Sequence, residues 1–315
     1  MPAVVAVDLG GTSTRAAYYP RGEPPAQAQH KLPTPNGAGA EAILDCIVQA
    51  IEAVLPEGKR PERIGVGSPG PLDPYRGIVL DTPNLSGWVD FPLRDRVRER
   101  YGCPVAIGND ANLAALGELA YGAGRGAKHM LYLTISTGIG GGVIANGQLL
   151  LGKRGLAAEL GHMHAHADGA RCGCGQYGHL EAIAAGPAIA RAARLRLQSG
   201  EPSSMRRLPG SPESITTHDV GRAALQGDPV ARSVLEDAGL AIGRHLASLV
   251  HAFDPEVIVL GGGVSMIGPL FFEPIERALR QHVMHPAYLE GLRLAPAELG
   301  DEAGLIGAMI LARDL

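Results

Sequence analysis

The sequence predicts an α/β protein with partly parallel sheets, divided into two domains joined by a cleft. Short apolar segments of strand character alternate with segments of helical periodicity along the chain, an order that is typical of α/β folds. The chain has 315 residues, more than one hydrophobic core usually accommodates. A glycine-rich turn follows an apolar strand near the start and again near the middle, which suggests two similar domains.

The first half opens with a buried strand over 4–7, a turn over 9–12 and a second strand over 15–19. Apolar residues at helical spacing then predict a helix over 40–55. The remaining predicted elements are a short strand around 30, a strand over 63–67, loops over 68–72 and 83–88, a helix over 92–101, a strand over 105–107 and a helix over 111–121.

The second half repeats the opening pattern. A strand is predicted over 130–135, a turn over 136–142 and a return strand at 143–144, so that Ser136-Thr137-Gly138 lines up with Asp8-Leu9-Gly10. We expect one domain over 1–111 with the helix 301–315, and a second over 112–300. The later predicted elements are a Cys/His-rich loop over 162–179, helices over 186–198, 219–226 and 229–251, a strand over 257–260, an edge strand over 292–294 and a helix over 303–313.

Composition and charge exclude several classes of protein. Apolar residues make up 45% of the chain, which is incompatible with extensive disorder. The net charge is −4 and no block of Lys and Arg occurs, so nucleic acid is not expected as the main partner. No signal peptide and no apolar stretch of membrane-spanning length is visible. We therefore expect a cytoplasmic protein with no membrane partner.

Three glycine-rich turns follow apolar strands, at Gly10-Gly11, Gly138 to Gly142 and Gly261 to Gly263. Glycine allows backbone N–H groups to approach an anion closely. A single turn of this kind is more often a hairpin than a phosphate site, but three such turns, with Thr12, Thr14 and Thr137 beside two of them, favour a nucleotide site. Asp8, at the end of the first strand, is placed to hold Mg²⁺ through water.

Asp110 lies where a strand meets a helix, after Asn109. Aspartate is a common helix N-cap, and the local sequence favours that structural role. The alternative is a carboxylate that accepts the proton of an attacking hydroxyl group. The two roles are compatible if Asn109 or the helix start fixes the carboxylate.

The segment 159–181 contains two cysteines, four histidines and flanking glutamates. Thiolate and imidazole ligands together suit Zn²⁺, and four of them form a closed structural site. Cys172 and Cys174 are two of the expected ligands, whereas the composition does not tell which histidines complete the site. Such a zinc ion would brace the loop that carries Glu159 and Glu181.

In this order, the motifs resemble the ROK family of the actin/hexokinase/Hsp70 superfamily, a family of repressors and sugar kinases. The resemblance runs from Asp8-Leu9-Gly10-Gly11-Thr12 to the segment 303–308. Two stretches carry it most specifically: 137–162, which ends in Glu159-x-Gly161-His162, and 83–112, with Pro83-Asn84-Leu85-x-x-Trp88 and Gly108-Asn109-Asp110-Ala111-Asn112. The resemblance implies a two-domain actin-like ATPase fold of the ribonuclease H-like kind.

The resemblance also implies an ATP-dependent hexose kinase, most simply a glucokinase that phosphorylates the sugar O6, with Asp110 as the catalytic base. Its partners would be a hexose and ATP with Mg²⁺, in a homodimer or homotetramer. The implied nucleotide-binding residues are Asp8, Gly10, Gly11, Thr12, Thr137, Gly138, Gly262 and Gly263. The implied sugar-binding residues are Asn84, Asn109, Asp110, Glu159, His162, Glu181 and Gly70, and structural Zn²⁺ would be bound by His162, Cys172, Cys174 and His179.

The sequence departs from the family pattern at three positions. His179 stands where kinases of the family usually have cysteine, Ala158 where glycine usually precedes the Glu-x-Gly-His motif, and Ser136 where glycine is common. Histidine also binds zinc, so the metal site remains expected. None of the three changes removes a catalytic group.

Some other functions fit the sequence less well than a hexose kinase, and some substrates stay open. A sugar-responsive repressor would carry a DNA-binding segment before the first phosphate turn, whereas Asp8 lies close to the start of this sequence. A non-catalytic sugar-binding protein would not need both Asp8 and Asp110. N-acetylmannosamine, N-acetylglucosamine, fructose or allose stay open as substrates beside glucose, and polyphosphate stays open as the phosphoryl donor.

Overall fold

The computed structural model describes residues 1–82, 85 and 87–315. Asn84, one of the expected sugar-binding residues, lies outside the described residues. The strands within those ranges are β1 (Val4–Leu9), β2 (Ser13–Tyr19), β3 (Ala28–Pro33), β4 (Arg63–Ser68), β5 (Leu72–Asp73), β6 (Ile78–Asp81), β7 (Val89–Phe91), β8 (Val105–Asn109), β9 (Met130–Ile135), β10 (Ile139–Ala145), β11 (Gln148–Leu149), β12 (Val257–Gly261) and β13 (Arg293–Pro296).

The helices alternate with these strands, as an α/β protein requires. Short 3-10 turns occur as well, among them Leu160–His162. In the described part of the chain no helix is long and apolar enough to cross a membrane. The α-helices are α1 (Ala40–Val54), α2 (Leu93–Tyr101), α3 (Asp110–Tyr121), α4 (Leu180–Ala184), α5 (Gly186–Gln198), α6 (Thr217–Leu225), α7 (Pro229–Phe253), α8 (Pro269–His282) and α9 (Ala303–Arg313).

Two five-stranded sheets share one topology. The strand order is β3-β2-β1-β4-β8 in the first sheet and β11-β10-β9-β12-β13 in the second. In both sheets the first strand in sequence lies at the centre, beside the strand that follows it and a later, parallel strand. This shared order is the structural counterpart of the internal repeat in the sequence. A small third sheet, β5-β6-β7, was not predicted.

The chain forms two compact units. The first comprises Met1–Gly126, Gly142–Ala158 and Glu298–Leu315, and the second comprises Ala127–Gly141 and Glu159–Ala297. The domain boundary expected after residue 111 would cut α3 after its second residue, whereas all of α3 lies in the first unit. The compact units therefore differ from the expected domains, which stay a prediction.

In the first unit, β1 is buried on both faces. Val5 and Val7 belong to the cluster that includes α1 residues, and Val4 and Ala6 belong to the cluster that includes α9 residues. Successive side chains of a strand point to opposite faces, so one apolar strand fills both layers of the core. In the second unit, β9 and β12 are apolar and almost wholly buried, which is typical of strands covered on both faces.

Candidate active site and metal centre

The first glycine-rich turn connects β1 and β2. The N–H of Gly10 donates to the carbonyl of Ser13 at 2.9 Å, and Thr34 of the same unit donates to Gly10 O through its hydroxyl (2.7 Å) and to Thr12 O through its backbone N–H (3.0 Å). These bonds fix the shape of the turn. Thr14 is fully buried with its hydroxyl 2.9 Å from that of Thr34, so its side chain helps to hold the turn in place.

Asp8, the expected magnesium-binding residue, forms an ion pair with Arg15. The two residues lie directly opposite each other on β1 and β2, and Nη2 of Arg15 lies 2.5 Å from Oδ2 of Asp8. The side chains are 21% and 17% exposed, so the pair is only partly hydrated. A Cβ at Gly304 would lie 3.2 Å from Oδ1 of Asp8, and the glycine therefore leaves space beside that oxygen.

Asp110 is the first residue of α3, and Asn109 is the helix N-cap. Oδ1 of Asn109 accepts hydrogen bonds from the N–H groups of Ala111 (3.0 Å) and Asn112 (3.1 Å). The structural role that the local sequence assigned to Asp110 thus belongs to its neighbour. Oδ1 of Asp110 accepts from the N–H of Ala111 at 2.8 Å, and the helix N-terminus favours a negative charge at this position. The carboxylate is held in place without being the cap.

Asn109 and Gly70 are the other described sugar-binding candidates of this unit. Because Oδ1 of Asn109 caps α3, its Nδ2 group is the part of the side chain suited to donate to a hydroxyl group. Gly70 lies in the short connection between β4 and β5, next to Pro71. Both candidates follow strands of the first sheet, at the edge where Asp8 also lies.

The second glycine-rich turn connects β9 and β10 and is held by Glu181. Oε2 of Glu181 accepts from the N–H of Ile139 at 3.0 Å. A Cβ at Gly138 would lie 2.6 Å from the same oxygen, so only glycine fits there without displacing the carboxyl group. The carbonyl of Ser136 accepts from the first residue of α5, Gly186, at 2.8 Å. The turn is therefore fixed on both sides by residues of the second unit.

The Glu-x-Gly-His motif forms the 3-10 turn Leu160–His162, which packs against β10. A Cβ at Gly161 would lie 1.9 Å from the carbonyl oxygen of Ile139, so this close approach requires glycine. Glu159 as a whole residue is solvent-exposed, whereas its carboxyl group is largely surrounded by other parts of the chain. Desolvation by the surrounding chain raises the pKa of its carboxyl group, His162 opposes that rise, and Glu181 adds to it. These three candidate sugar-binding groups are thus electrostatic neighbours.

Four expected metal ligands come together in the second unit: His162, Cys172, Cys174 and His179. Their ligand atoms all lie within 4.8 Å of one another, with Sγ of Cys172 3.5 Å from Nδ1 of His162 and Sγ of Cys174 3.3 Å from Nδ1 of His179. His179 therefore takes the place of the cysteine that the family usually has. His166, by contrast, accepts a backbone hydrogen bond from Asp168 through its Nδ1.

These residues fit Zn²⁺. Zinc–sulfur and zinc–nitrogen bonds of about 2.3 and 2.1 Å in a tetrahedron place neighbouring ligands about 3.3–3.8 Å apart, which matches the two sulfur–nitrogen distances. Burial raises the pKa of Cys172 to about 11, and Glu181 adds to that rise. A bound cation would counter this effect, because a coordinating thiol loses its proton.

A cavity of about 840 Å³ lies in the second unit, beside the second glycine-rich turn. Thr137 and Gly263, two of the expected nucleotide-binding residues, both line it. Gly262, the residue before Gly263, has φ +84°, and a Cβ there would lie 2.4 Å from the carbonyl oxygen of Ile135. The start of α5, the exposed side of α6 and the segment after β12 complete the walls. The volume is within the usual range for a small-ligand site.

Sequence reasoning missed two kinds of site residue. Arg15 lies opposite Asp8 because of the hairpin register of β1 and β2, which the two predicted strands, over 4–7 and 15–19, did not specify. The cavity walls on α5 and α6, among them Pro187, Arg194 and Leu225, come from segments with no motif of their own. Only the tertiary packing of these helices identifies them.

The family model for the ROK family matches residues 4–315. The glucokinase of Thermotoga maritima is 35% identical over 312 residues, which cover 99% of this chain and 97% of that protein. The crystal structure of a ROK family glucokinase from Streptomyces griseus in complex with glucose and AMPPNP superposes with a TM-score of 0.86 at 37% identity, covering 99% of this chain and 100% of that one. The ROK hexokinase from Thermus thermophilus gives 0.82 at 41% identity, over 99% and 98% of the two chains.

The fold is thus the two-domain actin-like fold of sugar kinases, as the sequence predicted. Its duplicated sheets each carry a glycine-rich turn after the central strand. The chain belongs to the ROK family.

Proposed function

We propose that this chain is an ATP-dependent glucokinase that transfers the γ-phosphoryl group of ATP to O6 of glucose. The observation that carries the proposal is the end-to-end similarity to the S. griseus glucokinase, whose structure holds glucose and AMPPNP. Phosphoryl transfer depends on positioning and charge neutralisation more than on covalent catalysis. Backbone N–H groups in fixed turns and a carboxylate at a helix start are the groups that such a reaction uses.

Magnesium-bound ATP is the donor in this proposal. The N–H groups of Gly10 and Ile139 have partners within the chain, so we assign the phosphate contacts to Gly11 and Thr12 of the first glycine-rich turn and to Gly138 with Thr137 of the second. Asp8 would hold the magnesium ion of the substrate through water, with Arg15 orienting its carboxylate. Gly262 and Gly263 would lie against the adenosine.

Asp110 is assigned as the general base. It accepts the proton of the sugar O6–H as O6 bonds to the γ-phosphorus, while the bond from that phosphorus to the bridging oxygen breaks and ADP leaves. The hydrogen bond from Ala111 N and the start of α3 hold the carboxylate during this step. A general base of this kind contributes about 10²–10⁴-fold to the rate.

The sugar hydroxyls are assigned to the hydrogen-bonding groups that the family resemblance implied. These are Nδ2 of Asn109, with Asn84, Gly70, Glu159, His162 and Glu181. Zinc bound by His162, Cys172, Cys174 and His179 would brace the loop that presents the last three of these groups. The ion has no part in the chemistry. The use of ATP and the free cysteines fit a cytoplasmic enzyme, and we expect a homodimer or homotetramer.

A coupled ADP-release assay over a panel of sugars tests this function. The panel comprises glucose, mannose, fructose, allose, N-acetylglucosamine and N-acetylmannosamine, each with ATP and with polyphosphate as donor. We expect the highest kcat/KM with glucose and ATP. Turnover with none of the sugars would refute the kinase, and a higher kcat/KM with an N-acetylhexosamine would refute glucose as the preferred substrate.

Metal analysis of the purified protein tests the zinc site separately. We expect about one equivalent of zinc per chain, which is lost in the Cys172→Ser variant because a hydroxyl group is a poor zinc ligand. The matched control is Cys46→Ser, which changes a buried cysteine of the first unit and should retain the metal. Zinc well below one equivalent in the unmodified protein would contradict the assignment.

A further inference from the structure

The cavity beside the second glycine-rich turn has mostly apolar walls. Pro187 and Ala190 of α5, Leu225 of α6, and Val264 and Ile267 after β12 provide them. If the proposed function is correct, this cavity receives the nucleoside of the phosphoryl donor, because Thr137 and Gly263 line it as well. How selectively the enzyme chooses a donor then depends on what the walls present to the edge of the base.

Two threonine side chains of the wall, Thr216 and Thr217, are hydrogen-bonded to other groups of the protein. Oγ1 of Thr217 donates to the carbonyl of Gly186 at 2.5 Å. Oγ1 of Thr216 donates to Oδ2 of Asp219 at 2.7 Å, as part of the capping box that starts α6. Both hydroxyl protons therefore serve to fix the wall, and a bound base would have to break these bonds to use them as donors.

The arginine side chains of the wall are bound in the same way. Nε and Nη2 of Arg194 donate to the carbonyl of Ile215 at 2.9 and 2.6 Å. Nη2 of Arg222 donates to Oδ1 of Asp219 at 3.2 Å. His218 also lines the cavity but is solvent-exposed, and water competes for its ring nitrogens. These hydrogen bonds of Arg194 and Arg222 hold the helices of the wall in place.

We propose that this site holds the nucleobase by apolar packing, and that the enzyme accepts guanosine and inosine triphosphates as well as ATP. Adenine, guanine and hypoxanthine share the purine ring and differ in their hydrogen-bonding edges. A site that hydrogen-bonds a substrate group rejects an analogue without it by about 10⁴–10⁵-fold, whereas apolar packing discriminates by only about 10–200-fold. The walls of this cavity are mostly apolar, so we expect the weaker discrimination.

The binding of ADP, IDP and GDP to the whole chain, measured by calorimetry with magnesium present, tests this inference. We expect dissociation constants that agree within about 200-fold, the limit of apolar discrimination. A greater preference for ADP overturns the inference. Because no sugar is involved, the outcome is independent of the proposed function: equal binding without glucose phosphorylation refutes only the kinase, and glucose phosphorylation with strict ADP selectivity refutes only this inference.

A pair of leucine variants tests the packing itself. Leu225 lines the cavity and is 63% exposed, whereas Leu195, on α5, is 59% exposed and is not part of the wall. Leu225→Ala should weaken ADP and GDP binding by the same factor, about 3- to 10-fold for a partly buried side chain. Leu195→Ala should leave both unchanged. A change in the ADP-to-GDP ratio with Leu225→Ala, or equal effects of the two variants, would contradict base binding by apolar contact.

Discussion

Replacing Glu181 should weaken nucleotide binding even though the sequence assigns this residue to the sugar. Its Oε2 accepts the N–H of Ile139 at 3.0 Å and so fixes the turn that carries Thr137 and Gly138. A hydrogen bond to a charged group contributes about 1.5–3 kcal/mol. If that energy is lost from the bound state, Glu181→Ala should weaken binding of AMPPNP by about 10- to 100-fold.

Two further variants separate this role from a general loss of stability. Glu181→Gln keeps an oxygen that can accept from Ile139, so AMPPNP affinity should stay within about threefold of the unmodified protein. Glu256 is a matched control at the opposite end of β9: its Oε2 accepts from the N–H groups of Lys128 (2.5 Å) and His129 (3.0 Å). Glu256→Ala should lower stability and leave AMPPNP affinity unchanged.

Calorimetric titration with AMPPNP in the absence of sugar is the appropriate assay, because it does not depend on sugar binding by the same carboxylate. Zinc content is measured on each variant, since Oε1 of Glu181 also lies 3.4 Å from Sγ of Cys172. An AMPPNP affinity of Glu181→Ala within twofold of the unmodified protein would refute the reasoning. So would an equal loss with Glu256→Ala.

Three further predictions concern stability. Glu118 is fully buried and accepts three backbone hydrogen bonds of 2.8–3.2 Å. Glu118→Ala should therefore lower the free energy of unfolding by at least about 3 kcal/mol in denaturant titrations. A loss below about 1 kcal/mol would contradict this prediction. Ala158 has φ +70°, so Ala158→Gly should raise the free energy of unfolding by about 1 kcal/mol, and a decrease would contradict the strain. Burial lowers the pKa of His245 in the folded protein below 6.5. The free energy of unfolding should therefore fall as the pH drops below 6.5, where the unfolded chain takes up the proton more readily than the folded one. This loss should be smaller in His245→Gln, and equal pH profiles of the two proteins would refute the prediction.

The strongly periodic elements were predictable from the sequence. The strand Met130–Ile135 and the helices Gly186–Gln198 and Ala303–Arg313 have the predicted bounds, because each is a continuous apolar or amphipathic segment between clear turn residues. The third sheet was not predictable from the sequence, since β5 and β7 have only two and three residues. Such strands are defined by their partners and carry no periodicity of their own.

The candidate site also has parts that the sequence predicted and parts that it did not. The Cys/His loop could be found by composition, and the structure brings together the four ligands that the family resemblance implied. The local sequence favoured Asp110 as the cap of α3, and that prediction is wrong because Asn109, a residue type that caps helices equally well, lies at the cap position. The structure gives the cap to Asn109, and Asp110 is the first residue of the helix.

The contacts that join distant parts of the chain in the site could not be predicted from the sequence, for a different reason. The bond between Glu181 and Ile139 joins residues 42 positions apart, and the cavity wall brings together Pro187 and Ile267, which are 80 positions apart. Neither follows from local propensity. Ala158 is the intermediate case: the family pattern marked the position as unusual, and only its left-handed φ explains why glycine is common there.

The most direct test of the proposed function compares the unmodified protein with Asp110→Asn in glucose-dependent ADP release. Glucose affinity is measured in parallel by calorimetry, and zinc content confirms that the metal loop is intact. We predict that kcat falls by at least about 100-fold while the glucose dissociation constant changes by less than about threefold, because the amide keeps the size and one acceptor oxygen of the carboxylate. An Asp110→Asn variant that binds glucose and retains full turnover would contradict Asp110 as the base, and an unmodified protein without glucose-dependent ADP release would contradict the kinase itself.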